Sequence, residues 1–402
     1  MKPAFHLMAK PTSYTCNIDC VYCFYQGKDS GTLSQKTPSR FMSDDVLENY
    51  IKKYIIQNPT QLVEFAWQGG EPTMAGIDFY QKALSLQKKY ANGKKITNTL
   101  QTNGILIDDN WGEFLSKNNF LVGISLDGTK HIHDKYRKTH AGKSTHDKVV
   151  NAVRILQKYN VEFNVLIVVN EYTAKYPLEV YKYLTQEVKA NYLQFIPSVD
   201  RRPQGVFQGE LISPNLETLA YVTPWSVTGP LYASFINSIF DYWFKNDIGS
   251  VFVQIFENTL AAVMGQSPGM CVMRATCGLS LVIEQNGDIY SCDHFVYPEY
   301  KLGNILTDNL TDLVYSKKQK NFGMSKSDFS KVCLECDYRF VCQGGCPKLR
   351  INSINGKAHN YLCEGYKSIF KHSIPPMKTL AALLQQGHSI QEIRQITPLM
   401  IL

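Results

Sequence analysis

Up to about residue 200 the chain alternates short apolar runs with longer segments whose apolar residues recur at three- and four-residue spacing. The short runs are 5–9, 63–67, 96–100, 121–126, 163–169 and 192–196, each of strand length. Between them, 46–56, 79–90 and 149–159 have the period of amphipathic helices. Ser43 stands before the first of these as an N-cap, and Asp44 and Asp45 suit the positive end of its dipole. Strands alternating with helices predict a parallel sheet joined by right-handed crossovers. Six repeats are too few for a closed eight-stranded barrel, so the expected class is α/β, a partial open (β/α)6 barrel. In such folds the chemistry sits at the C-terminal ends of the strands.

The alternation stops over residues 200–230. Pro203, Pro214, Pro224 and Pro230, with Gly205, Gly209 and Gly229, predict a long loop there. Segments 231–245 and 251–264 then read as two aromatic-rich amphipathic helices, with Phe235, Phe240, Tyr242, Trp243, Phe244, Phe252 and Phe256 as core. Past Cys271 the chain turns cysteine-rich. The expected division is a β/α core at 1–228, a helical bridge at 229–266, a cysteine-rich domain at 267–374 and a tail at 375–402.

Composition narrows the class. Over 402 residues, 44% hydrophobic and 19% charged content belong to a globular chain, not a disordered one. The net charge of +7 comes from scattered lysines, with no compact basic stripe, so nucleic acid is not an expected partner. No apolar run reaches membrane-spanning length, and the N-terminus lacks the apolar stretch of a secretory signal. A cytoplasmic location without membrane attachment is expected. Eleven cysteines in that setting point to metal or redox chemistry over disulfides.

Cys16, Cys20 and Cys23 stand at C-x3-C-x2-C spacing. Three thiolates so spaced suit three corners of a 4Fe–4S cube and leave one iron open to a small molecule. Structural zinc is the rival reading, although it wants four ligands, usually in CxxC pairs. Gln68-Gly69-Gly70-Glu71-Pro72 follows the second predicted strand, where glycine lets backbone approach a ligand. Gln101-Thr102-Asn103-Gly104 and Ser125-Leu126-Asp127-Gly128 end the next two, and both contain favoured turn pairs. His131, His133, His140 and His146 show no ligand spacing and read as surface histidines.

The three-cysteine motif, the aromatic Tyr22 before its last cysteine and the downstream GGEP together resemble the radical S-adenosylmethionine (SAM) superfamily. The resemblance implies the partial barrel. It also implies that SAM binds the open iron and that Tyr22, Gly70, Ser125, Arg137 and Leu193 contact SAM, with Arg137 suited to its carboxylate.

The later cysteines run Cys271-x5-Cys277, Cys292, Cys333-x2-Cys336-x5-Cys342-x3-Cys346 and Cys363. This series resembles the SPASM domain, which carries two auxiliary 4Fe–4S clusters. The resemblance assigns Cys271, Cys277, Cys292 and Cys346 to one cluster and Cys333, Cys336, Cys342 and Cys363 to the other, making three clusters in all. A hairpin of 281–284 and 289–292, turning at Asn286-Gly287, is expected to present Cys292. Two zinc-ribbon sites are the alternative.

Asp293, in Cys292-Asp-His-Phe295, extends the resemblance to anaerobic sulfatase-maturating enzymes. There the matching aspartate is the base acting on the substrate side chain; His294 is the local rival. The implied activity is oxidation of a cysteine or serine of a sulfatase polypeptide to Cα-formylglycine, begun by a 5′-deoxyadenosyl radical that takes hydrogen from Cβ. The expected partners are an unfolded or nascent sulfatase chain and a small redox donor of flavodoxin or ferredoxin type. Two alternatives stand beside this reading. One is a SPASM maturase that crosslinks another ribosomal peptide, against which the mere fifteen residues before Cys16 count. The other is a non-enzymatic metal-binding protein.

Overall fold

The computed structural model describes residues 2–25, 40–203 and 220–396. All six expected strands form, as His6–Lys10, Leu62–Trp67, Lys95–Thr102, Phe120–Ser125, Phe163–Val169 and Tyr192–Pro197. They lie parallel and side by side in chain order, from His6–Lys10 outward to Tyr192–Pro197. Among the described residues the sheet does not close, so the six units make an open partial barrel.

Helices cover one face. Asp44–Gln57 begins at Ser43, whose hydroxyl accepts from the Val46 amide at 3.3 Å. Its buried side chains Val46, Leu47, Tyr50, Ile51, Tyr54 and Ile55 recur at helical spacing. Tyr50 donates to the Leu7 carbonyl at 2.8 Å and packs edge-on against Phe65 and Trp67, tying this helix to two strands. Removing one such aromatic to alanine costs about 3–5 kcal/mol.

The two faces of the sheet differ in chemistry. Side chains alternate across a strand. Phe65, Trp67, Leu100, Val122, Ile124, Val165 and Ile167 are wholly buried toward the helices. The other face bears Thr99, Gln101, Asn164 and Gln194, all half-buried, and Gln68 donates to Gln101 across it at 2.5 Å. The interior is therefore more polar than the helix-facing side, although Leu166 and Val168 also lie on it, and it faces the loops at the C-terminal strand ends.

The expected hairpin forms at Asn286-Gly287, where Gly287 has φ 85°. Its first arm does something the sequence reading did not foresee. Ser280–Glu284 joins the main sheet parallel to His6–Lys10, with His6 opposite Ser280 and Lys10 opposite Glu284. Asp288–Tyr290 and Lys301–Asn304 then extend the same sheet antiparallel. The sheet thus crosses the expected boundary at 267, because Leu281, Val282 and Ile283 bury both faces of the arm.

Gly229–Asn246 and Gln254–Val263 are the two bridging helices, and Phe235, Phe240, Trp243, Phe244 and Phe256 are core as expected. A long helix, Cys363–Gln385, packs on both and contains Pro375 and Pro376 within its length. It docks closely: a Cβ on Gly365 would lie 2.3 Å from the Gly229 carbonyl oxygen. Of the expected loop, Arg201–Pro203 pairs with Ala220–Val222, while Gly205, Gly209 and Pro214 lie outside the described residues. Among the described residues, no helix is long and apolar enough to cross a membrane.

Candidate active site

Three loops at the C-terminal strand ends lock together around the first cysteine group. After Lys10 the chain turns twice, with Ser13 N–H donating to Lys10 C=O at 3.1 Å and Thr15 N–H to Thr12 C=O at 2.8 Å. The segment Ile18–Cys20 then pairs antiparallel with Arg137–Thr139, placing Cys20 opposite Arg137. Cys23 N–H closes on the Cys20 carbonyl at 2.9 Å.

The GGEP loop clamps the turn from the side. Gly70 N–H donates to Ser13 and Glu71 N–H to Thr15, at 2.6 and 2.9 Å. A Cβ on Gly70 would lie 2.2 Å from the Thr15 carbonyl oxygen, so only glycine permits this approach. Glu71 is fully buried. It accepts from Thr73 N–H at 3.0 Å, Thr102 hydroxyl at 2.7 Å and Asn103 N–H at 2.7 Å. Burial pushes its carboxyl up despite these bonds. Asn103 in turn donates to Asn17 at 2.8 Å and approaches Cys16 Sγ at 3.6 Å. Glu71 and Asn103 thus relay the order of two strand ends to Cys16.

Burial pushes both the Cys16 and Cys20 thiols up to about 12, and neighbouring Cys23 adds to each. Such thiols stay protonated unless a cation takes them, and a coordinated metal deprotonates them. None of the eleven cysteines is in a disulfide.

On the far side, Tyr22, Asp127 and Arg137 form a buried triad. Arg137 Nε donates to Asp127 at 2.9 Å, its Nη1 lies 3.8 Å from Cys20 Sγ, and Tyr22 donates its hydroxyl to the same carboxylate. Most of the guanidinium fork is therefore engaged by protein, with one edge turned to the cysteine. Ser125, at the end of its strand, faces the polar interior beside them. Leu193 does not. It is buried in the helix-facing core, level with Val165 and Val253, and strand alternation turns it away from the interior. The buried apolar residue just past the site end of that strand is Val199.

The histidines also divide. His131 is exposed as expected, but His133 and His146 are buried. His133 Nδ1 accepts from Asp127 N–H at 3.3 Å and its Nε2 bonds Thr145 at 3.0 Å, so the ring buttresses Asp127. Burial drives its pKa well below the usual value, and Arg137 adds to this.

The later cysteines gather into two sets. Cys292 is raised by burial and by the charges of Cys346 and Cys271; Cys346, pushed up to about 11, feels Cys271 and Cys277. Cys342, pushed up to about 12 by burial, feels Cys363, Cys333 and Cys336. That second set lines one pocket. Gly344 and Gly345, at φ 68° and 65°, carry the chain around it to Cys346. Among the described residues no three His, Cys, Asp or Glu side chains converge as a single ion requires. Thiols grouped around a gap fit the donor chemistry of a cube, with four sulfurs in each later set and three in the first.

Asp293 sits in the turn Asp293–Phe295, directly after Cys292. Its carboxylate pairs with Lys10, at the end of the first strand. His294 Nδ1 lies 3.6 Å from Cys346 Sγ. Lys10 and His133 join the site against the sequence expectation, whereas Glu71 and Asp127 fall in strand-end stretches already singled out, with no role assigned to either there. The available signal was polar residues placed at strand ends on the catalytic side.

The radical SAM superfamily matches residues 11–184, and an iron–sulfur cluster-binding domain, SPASM, matches 276–337. A serine-type anaerobic sulfatase-maturating enzyme of Bacteroides thetaiotaomicron is 43% identical over 94% of this chain and 91% of its own. A cysteine-type enzyme of Clostridium novyi is 36% identical over 94% and 97%. Native anSMEcpe with bound AdoMet and Cp18Cys peptide superposes with a TM-score of 0.82 at 34% identity, covering 94% of this chain and 99% of that one.

Proposed function

We infer from its kinship that this chain, which belongs to the anaerobic sulfatase-maturating enzymes of the radical SAM superfamily, oxidises a cysteine or serine side chain of a sulfatase polypeptide to Cα-formylglycine. The observation that supports this most is the unequal grouping of thiols: four, four and three. Cys16, Cys20 and Cys23 would hold the cluster that leaves one iron for SAM. Cys271, Cys277, Cys292 and Cys346 would hold one auxiliary cluster, and Cys333, Cys336, Cys342 and Cys363 the other. When bound, SAM and the three clusters supply one-electron chemistry: removal of a hydrogen atom from the substrate Cβ and uptake of a second electron.

The protein's own part is to bind, orient and move a proton. Gly70 offers backbone at the turn that leads into Cys16, and Tyr22, Ser125 and Arg137 line the polar side where SAM would lie. Arg137 is held by Asp127, so the edge it turns toward Cys20 is fixed before any ligand arrives. Asp293 takes the thiol or hydroxyl proton of the substrate side chain. Loss of a hydrogen atom, a proton and an electron converts serine to the aldehyde. Cysteine gives a thioaldehyde, which water hydrolyses to the same aldehyde with release of sulfide. A small flavodoxin- or ferredoxin-type protein is the proposed donor. Residues 1–228 would form the SAM-binding core, 229–266 the bridge and 267–374 the auxiliary-cluster region sharing its sheet, with the tail from 375 continuing that region's last helix.

The test is mass spectrometry of a sulfatase-motif peptide after anaerobic incubation with holoenzyme, SAM and reductant. Wild type should show the formylglycine mass. Asp293→Asn should give far less formylglycine per 5′-deoxyadenosine released, by roughly 100-fold as expected for loss of a general base. Full product from that variant removes Asp293 from the mechanism.

A further inference from the structure

Lys10 is a buried cation that the reaction as described does not use. It is 1% exposed, and it ends the first strand on the catalytic side. Burying an ammonium is costly unless it is paired and solvated by protein. Its partner is the Asp293 carboxylate, and the Tyr25 ring lies beneath it, 3.8 Å from Nζ to the centroid. The pair is lopsided: the Asp293 side chain keeps 21% exposure while Lys10 keeps almost none. The ammonium thus stands behind the carboxylate, and the carboxylate faces outward from it. Glu284, opposite Lys10 in the sheet register, accepts from the Tyr25 hydroxyl at 2.9 Å. Tyr25 thereby ties that second carboxylate while its ring supports the ammonium.

The elements themselves differ in rigidity. Lys10 rides on a strand flanked on both sides in a ten-stranded sheet. Asp293 rides on a single short turn. A side chain on a turn holds its orientation only if something anchors it, and reacting groups lose rate when misplaced by an ångström. We propose that Lys10 is a positioning residue, which holds the Asp293 carboxylate from behind at the point where the substrate proton is taken. This rests on the reading of Asp293 as the base.

The experiment compares Lys10→Met, Asp293→Asn and the double variant as anaerobic holoenzymes on a sulfatase-motif peptide. It reads kcat, KM, formylglycine per 5′-deoxyadenosine, iron content and Tm. Lys10→Met should lower kcat by roughly 10–100-fold with KM for the peptide little changed, and should lower the product ratio. In the Asp293→Asn background the same change should cost less than about 2-fold, because the two residues act as one unit. Where Lys10→Met loses iron or Tm, Lys10→Gln, polar but uncharged and one atom shorter than lysine, is read with the same expectation. Wild-type kcat and ratio in a folded Lys10 variant overturn the proposal while leaving the base intact. Losses that multiply in the double variant also overturn it, since Lys10 then acts through the fold alone. Full product from Asp293→Asn is the distinct outcome in which the base reading itself fails.

Discussion

The first cysteine group and the two later ones are built by different means. Cys16, Cys20 and Cys23 lie where the ends of parallel strands converge, and buried polar side chains from several strands brace them: Glu71, Asn103, Asp127 and Arg137. Most of the later cysteines lie on single helical turns and tight loops, such as Lys331–Leu334 and Arg339–Cys342. Cys277 and Cys292 stand near the main sheet, just before Ser280–Glu284 and just beyond Asp288–Tyr290. A site that must bind and release a small molecule needs walls that stay shaped when the ligand leaves. A saturated four-thiol site needs only its metal, whose binding energy can itself order the loops. The difference in scaffolding therefore matches the difference in ligand count.

Breaking each kind of group should separate the two most sharply. Cys16→Ala should abolish 5′-deoxyadenosine formation and lower iron from about twelve to about eight atoms per chain, if each group holds one cube. Cys333→Ala should lose a similar amount of iron and most formylglycine, yet continue to cleave SAM. Anaerobic purification, iron assay and chromatography of the nucleoside products check both. SAM cleavage surviving in Cys16→Ala would mean that the open position lies elsewhere.

A smaller effect is expected from Gly70→Ala, which tests whether the first group depends on preformed walls. The new methyl meets the Thr15 carbonyl, so two backbone segments must part. Overpacking of this kind costs about 1–3 kcal/mol. The damage should fall on the turn before Cys16, raising KM for SAM more than it lowers Tm. An unchanged KM would show that this clamp serves stability only.

The scaffold was more legible than the bracing. Strands and helices of the core follow from period-two and period-3.6 patterning, and the Ser43 cap from one hydroxyl at the right offset. What the sequence hid depends on partners far along the chain. Lys10 and Asp293 are separated by 283 positions, and nothing local to either marks the other. The arm Ser280–Glu284 was readable as a strand but not as the sheet neighbour of His6–Lys10, because apolar residues on both faces fit several burial sites equally. Leu193, given a contact by resemblance, has its side chain in the helix-facing core, which no local pattern marked. His133 and His146 lack any ligand spacing, which says nothing of burial; Asp127 and Thr145 draw His133 inward through its two ring nitrogens.

His133 gives the smallest effect and the most specific test of the bracing. The ring is buried neutral, with its pKa driven well below 6.5 by burial first and by Arg137 second. The unfolded chain binds a proton at His133 near pH 6.5, while the folded chain resists it to lower pH. Stability from this residue is therefore full above pH 6.5 and is lost as pH falls toward the depressed folded value. His133→Asn keeps an acceptor for the Asp127 amide and cannot take the proton. Between about pH 6.5 and 5.5 the wild type should lose up to about 1 kcal/mol more than this variant. Anaerobic thermal unfolding at pH 7.5, 6.5 and 5.5 measures the difference in slope. Parallel curves would mean that His133 protonates without disturbing Asp127, and the triad would then stand without its histidine support.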